Sequence, residues 1–555
     1  MFREVMTNSV CNLLLKNERE TPDQIYLRQP RDGQWIHFTW AEVVLRARKV
    51  AAFLQQKGLK KGSHISIISK NCAEWFITDF GINLAGMVSV PLFANQQEDS
   101  IHYVLQHADV KLVFVGKLDD HLRVRDFVPL QYPTASFDYH SDMVVDYRWS
   151  DIMATDPLKD IVHPEPEDLY TIIYSSGTSG SPKGAMYTHQ TVANYLSIFP
   201  DDLNRIRQLD FYKLISYLPL AHVYERSAIQ LGSLTIRCDV SFVESLDKFA
   251  DNLREIKPTF FTAVPRIWGV FQQKIEQKLP ARKLNFLLKI PFVSSLIKKK
   301  IVHGLGLENC ANSFSGASHL PVPIIQFFDK LGIPIQEGYG QTENLAYATL
   351  SLLDERRLGY VGTPRLLVEI KTSETQELLL KSPCLMKGYY KDEAASEKAF
   401  TADGWLRTGD LVEIDELQRV KITGRVSEIF KNQTGEYVAP TPIEKRFSGK
   451  GMIEQLCLVG QSLPSNVMLI SLSKEAVEAM KKPDIKRELQ NNLHDTNSSL
   501  AKFEKISHVI VVKDPWTTDN GLLTPTMKVK RKAVAERYEG IIKEALQDHQ
   551  TVIWE

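Results

Sequence analysis

A loop of hydroxyl and glycine residues around one lysine is the stretch of this sequence best suited to chemistry. It spans residues 174–185 and reads YSSGTSGSPKGA. Gly177, Gly180 and Gly184 permit tight turns with positive φ and let backbone N–H groups approach an anion. The hydroxyl groups add hydrogen-bond donors, and Lys183 adds a positive charge. We therefore interpret the loop as a cradle for phosphate groups.

Two other structures are compatible with this composition. Gly/Ser runs are often flexible surface loops, but the β-rich run 169–174 and the helix-compatible run 188–198 favour an ordered context. A Walker P-loop needs adjacent Gly-Lys-Ser/Thr, whereas here Pro182 precedes Lys183 and a glycine follows it. We expect a phosphate loop of another type, placed between a strand and a helix, where anion sites commonly form.

Other polar residues follow predicted strands further along the chain. His222, in LPLAHVYER, comes after the apolar run 213–218 and would emerge at the carboxyl edge of a sheet, where open α/β folds bind ligands. Glu343 ends GYGQTE and offers the hard oxygen ligand that Mg²⁺ prefers. Taken alone, a histidine after a strand and a GYG turn are each compatible with packed or surface positions.

Two charged residues lie close together beyond residue 400. Asp410 ends GWLRTGD, at the predicted end of a short loop, and Arg425 ends the strand-like VKITGR. A carboxylate accepts two hydroxyl hydrogen bonds well, which suits the ribose of a nucleotide. Without its neighbours, Asp410 is equally compatible with a solvated turn.

The elements that must position these residues alternate between strand and helix. HISIIS, VSVPL and KLVFV read as strands, separated by helix-like segments at 72–86 and 100–107. After a less regular stretch at 117–168 the alternation resumes, with strand candidates at 169–174, 213–218, 258–263 and 333–336. This βαβ order predicts an α/β fold with doubly wound, parallel sheets.

Length and composition exclude several classes of protein. A chain of 555 residues is too long for one core and predicts at least two domains. The 67 basic and 67 acidic side chains balance, so we expect no nucleic-acid partner. The six cysteines contain no Cys-x-x-Cys pair, which argues against a zinc site and a disulfide framework and favours a reducing compartment. No apolar run approaches 18 residues, so we expect no membrane span.

Together these motifs resemble the AMP-forming adenylating enzymes, which include acyl-CoA synthetases, luciferases and adenylation domains. They occur in family order from about residue 174 to 530. The resemblance implies that Lys528, in LTPTMKVKR, is a mobile catalytic lysine, with His222 and Glu343 as further catalytic groups. It implies that Glu343 and Thr178 meet a metal ion. It also implies a nucleotide-binding set made of Ser175, Ser176, Gly177, Thr178, Ser179, Gly180, Lys183, Gly316, Ala317, Glu337, Gly338, Tyr339, Gly340, Thr342, Asp410, Arg425 and Lys431.

The resemblance also implies domains and substrates. We expect an N-terminal domain at 1–426 that binds ATP and the acyl group, and a small mobile α+β domain at 427–555 that carries the lysine. The family hinge is usually Asp or Lys, whereas this chain has Ser427, a departure that Lys431 could partly offset. TAVPRIW, GYGQTE, GEYVAPTPIE and LTPTMKVKR look most like long-chain fatty acid CoA ligases. The expected substrates are ATP, a fatty acid and coenzyme A, with Mg²⁺ as cofactor.

Three alternatives remain open at this point. The chain could be a ligase for medium-chain or aryl acids, a ligase that hands its acyl group to a carrier protein, or a nucleotide-binding scaffold without activity. Intact Lys183, Glu343, Asp410, Arg425 and Lys528 argue against the scaffold. Oligomeric state cannot be read from these motifs.

A basic segment at 271–307 has two interpretations. It holds eight lysines and arginines against the single acid Glu276, interleaved with apolar residues that Pro291 interrupts. One interpretation is an interfacial element that docks on a membrane surface. The other is a helix that packs on its own domain and has a solvated basic face. The predicted location is the cytoplasm, with a peripheral position at the inner face of a membrane under the first interpretation.

Overall fold

The computed structural model describes residues 6–175, 182–448, 452–524 and 527–555. Its strands, in chain order, are β1 (Ile25–Arg31), β2 (Gln34–Thr39), β3 (His64–Ile68), β4 (Val88–Leu92), β5 (Val110–Val115), β6 (Thr134–Ser136), β7 (Leu169–Ser175), β8 (Lys183–Thr188), β9 (Tyr212–Ser216), β10 (Cys238–Phe242), β11 (Phe260–Ala263), β12 (Asn312–Ser315), β13 (Ile335–Tyr339), β14 (Thr349–Leu350), β15 (Thr363–Pro364), β16 (Glu369–Thr372), β17 (Glu377–Lys381), β18 (Gly388–Tyr389), β19 (Leu406–Ile414), β20 (Val420–Arg425), β21 (Phe430–Lys431), β22 (Tyr437–Val438), β23 (Ile453–Val459), β24 (Asn466–Leu472), β25 (Ile506–Val511) and β26 (Val552–Trp554).

The α-helices are α1 (Val10–Glu20), α2 (Trp40–Gln56), α3 (Ala73–Leu84), α4 (Glu98–His107), α5 (Val124–Phe127), α6 (Trp149–Met153), α7 (His189–Leu203), α8 (Val223–Glu225), α9 (Phe249–Ile256), α10 (Pro265–Lys278), α11 (Ala281–Leu287), α12 (Val293–Leu305), α13 (Val322–Leu331), α14 (Glu393–Ala399), α15 (Pro440–Phe447), α16 (Lys474–Ala479), α17 (Lys482–Asn497), α18 (Arg531–Arg537) and α19 (Glu539–Ala545).

The largest sheet has the strand order β18-β8-β7-β4-β3-β5-β6. From β7 to β6 the strands are parallel, as the βαβ alternation predicts, and β8 and β18 add antiparallel pairs at one edge. Every residue of α3 is buried, which is typical of a helix covered on all sides. The sheet therefore provides a rigid base for the loop that follows β7.

The position of this loop corrects one prediction. It joins β7 to β8 in an antiparallel pair, with Ser175 opposite Lys183, so a strand and not a helix follows it. Gly184 lies within β8, where a Cβ atom would come 2.7 Å from Ile172 and 2.9 Å from Tyr174. Its role is close packing between strands and not a turn with positive φ.

Two further sheets carry the predicted strands at 213–218, 258–263 and 333–336. One has the order β11-β12-β13-β14-β15, parallel through β13 and then antiparallel. The other has the order β2-β1-β10-β9, in which β1, β10 and β9 are parallel. The large domain is thus a mixed α/β structure with parallel centres and antiparallel edges.

An antiparallel sheet of order β16-β17-β19-β20 follows. Asp410 lies inside β19 and directly opposite Arg425 on β20, not at the end of a loop as predicted. Gly409 has a φ of 68°, and the register of the pair shifts between Leu411 and Val412. The turn signal in the sequence marks irregular geometry inside a strand.

The carboxyl-terminal part forms a smaller α+β domain. Its sheet has the order β23-β24-β25-β26, with β23 antiparallel and the other strands parallel. Two clusters of buried apolar side chains belong to it, and all their buried members come from residue 430 onward. Among the described residues, no helix is long and apolar enough to cross a membrane.

Candidate active site

A cavity of about 1780 Å³ lies where both domains meet the ends of the central strands. The predicted residues that line it are Ser175, Lys183, His222, Gly316, Ala317, Gly338, Tyr339, Gly340, Thr342, Glu343, Asp410, Arg425 and Lys528. The predicted residues Ser176, Gly177, Thr178, Ser179 and Gly180 fall outside the described part of the chain. The structure therefore brings together motifs that the sequence scatters over more than 350 residues.

Asp410 is held at the centre of a hydrogen-bonded group. Its carboxylate accepts from Arg425 Nε at 2.9 Å, from the Tyr339 hydroxyl at 2.6 Å and from Gln341 Nε2 at 2.6 Å. The carboxylate charge raises the pKa of Arg425. Since Asp410 is only 3% exposed, these donors stabilise a charge that burial would otherwise disfavour. These hydrogen bonds hold the Asp410 carboxylate, a hydrogen-bond acceptor, beside Tyr339.

Glu343 and Lys183 flank the same aromatic ring. Glu343 lies in the 3₁₀ turn Thr342–Asn344, and its Oε1 accepts a hydrogen bond from the Tyr389 hydroxyl at 2.8 Å. The Lys183 ammonium lies 5.1 Å from the centre of the Tyr389 ring. An acidic oxygen and a cation thus both lie beside the Tyr389 ring.

This donor set is compatible with a phosphate-bound Mg²⁺. Mg²⁺ is usually held by one or two carboxylates together with substrate phosphates and water, not by an all-protein cage. The described residues contain no cluster of three metal-ligating side chains, and Glu343 offers one carboxylate with an oxygen not engaged by Tyr389. The residues present therefore fit a metal that arrives with the nucleotide.

His222 is neutral at physiological pH. Burial, and secondarily the charge of Lys528, lowers its pKa from 6.5 to about 4. Its Nδ1 accepts a hydrogen bond from the backbone N–H of Tyr224 at 3.3 Å, so the ring proton is assigned to Nε2. His222 thus presents a neutral N–H donor to the cavity rather than a positive charge.

Lys528 enters the cavity from the small domain. Its backbone closes a turn with Thr524, whose N–H donates to the Lys528 carbonyl at 2.8 Å. Part of the residue is open to solvent, yet burial of the ammonium lowers its pKa. The next largest influence is Arg425, whose positive charge lowers the pKa further, whereas Asp410 and Glu343 raise it. The charges of both acidic groups of the site therefore act on the ammonium.

Two segments of the predicted nucleotide-binding set, at 316–317 and 337–340, approach each other at the cavity. A Cβ atom on Gly316 would lie 3.5 Å from the carbonyl oxygen of Gly338, so the two segments are in near contact. Ala317, beside it, has a φ of 67°. This close approach of backbone leaves a narrow wall suited to a flat ring.

Two family models match this chain. One, described as AMP-binding enzyme, matches residues 14–390, and the other, described as AMP-binding enzyme C-terminal domain, matches residues 428–550. The chain belongs to the AMP-binding enzyme family. Its site residues come from both matched regions, because Lys183 and Glu343 lie in the first and Lys528 in the second.

Several curated proteins resemble this AMP-binding enzyme along most of its length. Long-chain-fatty-acid–CoA ligase FadD15 of Mycobacterium bovis is 27% identical, covering 97% of this chain and 96% of that one. Long-chain-fatty-acid–CoA ligase 5 of Rattus norvegicus is 28% identical, covering 93% and 85%. Long chain acyl-CoA synthetase 6, peroxisomal, of Arabidopsis thaliana is 30% identical, covering 91% and 81%.

Solved structures share the fold. The adenylation domain of a carboxylate reductase from Mycobacterium chelonae has a TM-score of 0.81 at 20% identity, covering 98% of this chain and 93% of that one. The A domain of a carboxylic acid reductase from Segniliparus rugosus, in complex with AMP and a carboxylic acid, has a TM-score of 0.80 at 19% identity, covering 98% and 96%. At these identities the likeness establishes the architecture of the AMP-binding enzyme.

Two predicted residues do not line the cavity as described. Lys431 is exposed, and its ammonium lies 5.5 Å from the centre of the Tyr437 ring. Glu337 is buried beneath the wall, where burial raises its pKa to about 7 despite the opposing charge of Lys445. The arrangement therefore gives no support to Lys431 as a substitute for a charged hinge residue.

Three residues in or beside the site were not predicted. Gln341 lies within GYGQTE and could have been found from its place in that motif, whereas Tyr389 has no comparable signal. Lys445, on α15, lines the cavity from the small domain and donates to the Ile422 carbonyl at 2.8 Å. Its position at the cavity depends on how the two domains meet, and local sequence does not encode that arrangement.

Proposed function

We propose that this AMP-binding enzyme activates a long-chain fatty acid with ATP and transfers the acyl group to coenzyme A, releasing AMP and pyrophosphate. The observation that carries the proposal is the continuity of one cavity. It joins the charged groups around Asp410, Glu343 and Lys528 to a channel between α10 and α13. Both apolar and polar side chains of the two helices line this channel. The names of the curated relatives support the acyl class.

In the first half-reaction, a carboxylate oxygen of the fatty acid attacks the α-phosphorus of ATP and pyrophosphate leaves. Lys183, Lys528 and His222 line the cavity. The two lysines would balance the charge on phosphate oxygens, and Nε2–H of His222 would donate to the acid or the α-phosphate. Glu343, with Thr178, would hold Mg²⁺, which when bound offsets charge on the phosphates. Asp410 would accept from the ribose hydroxyls.

In the second half-reaction, the thiol sulfur of coenzyme A attacks the acyl carbonyl carbon, the bond to AMP breaks, and a thioester forms. The anhydride is already activated, so the protein needs to supply position and charge rather than a nucleophile. We place the domain division at 426/427, and propose that the small domain at 427–555 reorients about Ser427 between the half-reactions, withdrawing Lys528.

The acyl chain would lie in the channel between α10 and α13. Ile267 and Val270 of α10 and Ile324 of α13 line it. Val264 and Pro321, which directly precede the two helices, line it as well. Gly269 faces this second wall, because a Cβ atom there would lie 3.9 Å from Ile324 Cδ1. Because Gly269 has no side chain, the channel would stay open at this point for a long substrate.

One experiment separates this function from its alternatives. AMP and pyrophosphate release would be measured with ATP and coenzyme A across saturated fatty acids of graded length and several aryl acids. We expect turnover with an optimum among the long-chain acids. Release with aryl acids alone would identify an aryl ligase. Pyrophosphate release without AMP release or thioester formation would point to a carrier protein as acceptor, because AMP leaves only in the second half-reaction. Release of neither pyrophosphate nor AMP with any acid would identify a scaffold.

The segment 271–307 belongs to the same proposal as a peripheral contact with a lipid surface. A long-chain acid partitions into membranes, so an enzyme that uses it gains from working at that surface.

A further inference from the structure

The outward side of the segment 271–307 combines positive charge with exposed apolar side chains. The helix α12 packs inward through Ile297, Ile301 and Leu305, which lie against the core of the β11–β13 sheet. Positions 296, 299 and 300 occupy its opposite, exposed face. The helix α11 likewise buries Leu284 and leaves Phe286 outside. We call the outward set the docking surface: Arg282, Lys283, Phe286, Lys289, Phe292, Leu296, Lys299 and Lys300.

The structure shows which apolar residues of this segment are buried and which are exposed, a distinction that composition alone could not make. Leu284, Leu288 and Ile297 join the core, as the packed-helix interpretation predicts. Phe286, Phe292 and Leu296 instead remain 65%, 87% and 68% exposed. Single exposed apolar residues are ordinary, but three large ones grouped within one basic segment are typical of an interaction surface.

The positive charges of the segment have no acidic partners. Among the described ion pairs, none involves any of its eight basic residues, Lys274, Lys278, Arg282, Lys283, Lys289, Lys298, Lys299 and Lys300. The one acid, Glu276, accepts a hydrogen bond from Gln272 at 3.0 Å and does not neutralise them. The surface therefore presents a net positive field on a chain whose total charge is zero.

The docking surface also adjoins the acyl channel. A smaller cavity of about 210 Å³ shares Gln272, Glu276 and Pro323 with the wall of the main cavity. Its other lining residues include Leu284 and Asn285 of α11, next to Phe286. The two cavities thus share part of one wall, and the smaller one lies beside the helix that carries Phe286.

We propose that the docking surface binds an anionic lipid bilayer, with Phe286, Phe292 and Leu296 inserted among the acyl chains and the lysines at the headgroups. The acid then enters the channel from this side, an extension that rests on the proposed function. Lysine ammonium and arginine guanidinium groups match anionic headgroups, and apolar side chains match the acyl boundary. Nucleic acid or an acidic protein would match the cations but leaves three large apolar side chains without a partner.

Vesicle binding tests the docking directly, without substrate or turnover. The full chain would be co-sedimented at low salt with vesicles of phosphatidylglycerol and phosphatidylcholine in equal amounts, and with phosphatidylcholine alone. We expect binding to the vesicles that contain phosphatidylglycerol and at least about tenfold weaker binding to phosphatidylcholine alone. The reason is that each basic residue near an anionic leaflet contributes to the binding free energy.

Two variants separate charge from insertion. The charge variant is Lys289→Glu, Lys299→Glu and Lys300→Glu, and its matched control reverses three exposed lysines elsewhere, Lys398→Glu, Lys502→Glu and Lys505→Glu. The insertion variant is Phe286→Ser, Phe292→Asn and Leu296→Ser. Its control changes three similarly exposed residues, Leu122→Ser, Leu130→Ser and Leu417→Ser, which are 68%, 82% and 64% exposed. Asparagine at 292 suits the φ of 62° found there.

We expect both variants to lose at least about tenfold in vesicle affinity while both controls bind like wild type. Equal binding by wild type and either variant overturns the proposal. Retained binding by the insertion variant, with loss in the charge variant, would show attachment through charge alone and overturn the insertion of Phe286, Phe292 and Leu296. Circular dichroism of each variant identifies any that fails to fold, and Phe286→Ser alone then serves as the milder insertion variant.

A second readout tests entry of the acid. The insertion variant should turn over water-soluble decanoate like wild type but palmitate embedded in vesicles at least about tenfold more slowly. Equal slowing on both acids overturns entry from this side. If wild type turns over no acid at all, the proposed function fails, and the vesicle-binding result still decides the docking.

Discussion

Lys528 is the residue whose position depends most on the arrangement of the two domains. Its ammonium, with a pKa lowered by burial and by Arg425, lies near the groups that would surround the phosphates. We expect Lys528→Ala to slow adenylation by roughly two to three orders of magnitude, the usual loss for one charge-stabilising group. Conversion of pre-made acyl-adenylate to thioester should be nearly unaffected.

Pyrophosphate exchange would measure the first half-reaction and thioester formation from synthetic acyl-adenylate the second. Lys530→Ala is the matched control, since that lysine lies two residues away and does not line the cavity. Equal slowing of both half-reactions would show that Lys528 does not act in adenylation alone.

Asp410 is expected to bind the ribose of the nucleotide. Removing a charged hydrogen-bond acceptor costs about 1.5–3 kcal/mol, so Asp410→Ala should weaken ATP binding by about tenfold or more in calorimetry. The variant also leaves the half-exposed Arg425 without its partner, so Asp410→Asn is needed beside it because it retains an acceptor oxygen. Unchanged ATP affinity in both variants would refute the ribose assignment.

Glu337 makes stability depend on pH. Burial raises its pKa from 4.5 to about 7, so its contribution to stability is full below pH 4.5 and is lost as pH rises through 7. Glu337→Gln removes this titration. Between pH 5 and 8, we expect the free energy of unfolding of the variant to rise relative to that of wild type. The total change should be at most about 3 kcal/mol.

Urea denaturation of both proteins across this range would measure the difference. Glu225, whose pKa burial raises to about 8, titrates equally in the two and cancels. A difference in free energy that does not change with pH would show that Glu337 is not protonated in the folded protein.

At the scale of elements, the sequence predicted those strands whose signal is local. Apolar runs such as VSVPL became β4 and KLVFV became part of β5. The short strand β8 was missed because KGAMYT has no apolar alternation, and it forms only through pairing with β7. The short loop predicted to end at Asp410 is part of β19. Gly409, beside it, has a positive φ, and such a glycine occurs both in loops and at irregular points inside strands.

The channel between α10 and α13 should set the preferred acyl length. Gly269→Leu would place a side chain against Ile324 and shorten the available space. We expect activity with palmitate to fall at least about tenfold relative to decanoate, since excluding one or more methylenes costs about 1–3 kcal/mol.

The comparison of kcat/KM for the two acids measures this shift. Gly304→Leu is the control, because Gly304 lies on α12 with open space around its Cα. An unchanged ratio for Gly269→Leu would place the acyl chain elsewhere in the cavity.

At the scale of the whole molecule, the sequence predicted the two domains and the residues each contributes but not how they meet. Contacts between them join residues far apart in the chain, such as Gln97, whose side chain donates to the Thr518 carbonyl at 2.9 Å. Such pairs follow from the docking of two complete surfaces, and no local pattern encodes them. The same holds for Lys445, which reaches the cavity only because α15 packs beside β20.

The ion pair between Arg266 and Glu454 joins the two domains, so its removal should have a measurable effect on the rate of adenylation. Arg266 Nη2 of α10 lies 2.6 Å from Glu454 Oε1 of β23, and both residues line the main cavity. Because the pair links the acyl channel to the small domain, it stabilises the arrangement in which Lys528 faces the site. A partly exposed pair contributes roughly 0.2–1 kcal/mol, so Arg266→Glu should slow adenylation by up to about fivefold, with added repulsion from Glu454.

Glu454→Arg alone should act in the same direction, whereas the exchange of both residues, Arg266→Glu with Glu454→Arg, should restore much of the rate. Single-turnover adenylation at low and high salt measures all four proteins, and high salt should reduce the differences because it screens exposed charges. The rate of thioester formation from pre-made acyl-adenylate should not fall in the single variants, since under the proposed function that step follows reorientation of the small domain. If the double exchange is as slow as the single variants, the effect comes from the acyl channel at Arg266 and not from contact between the domains.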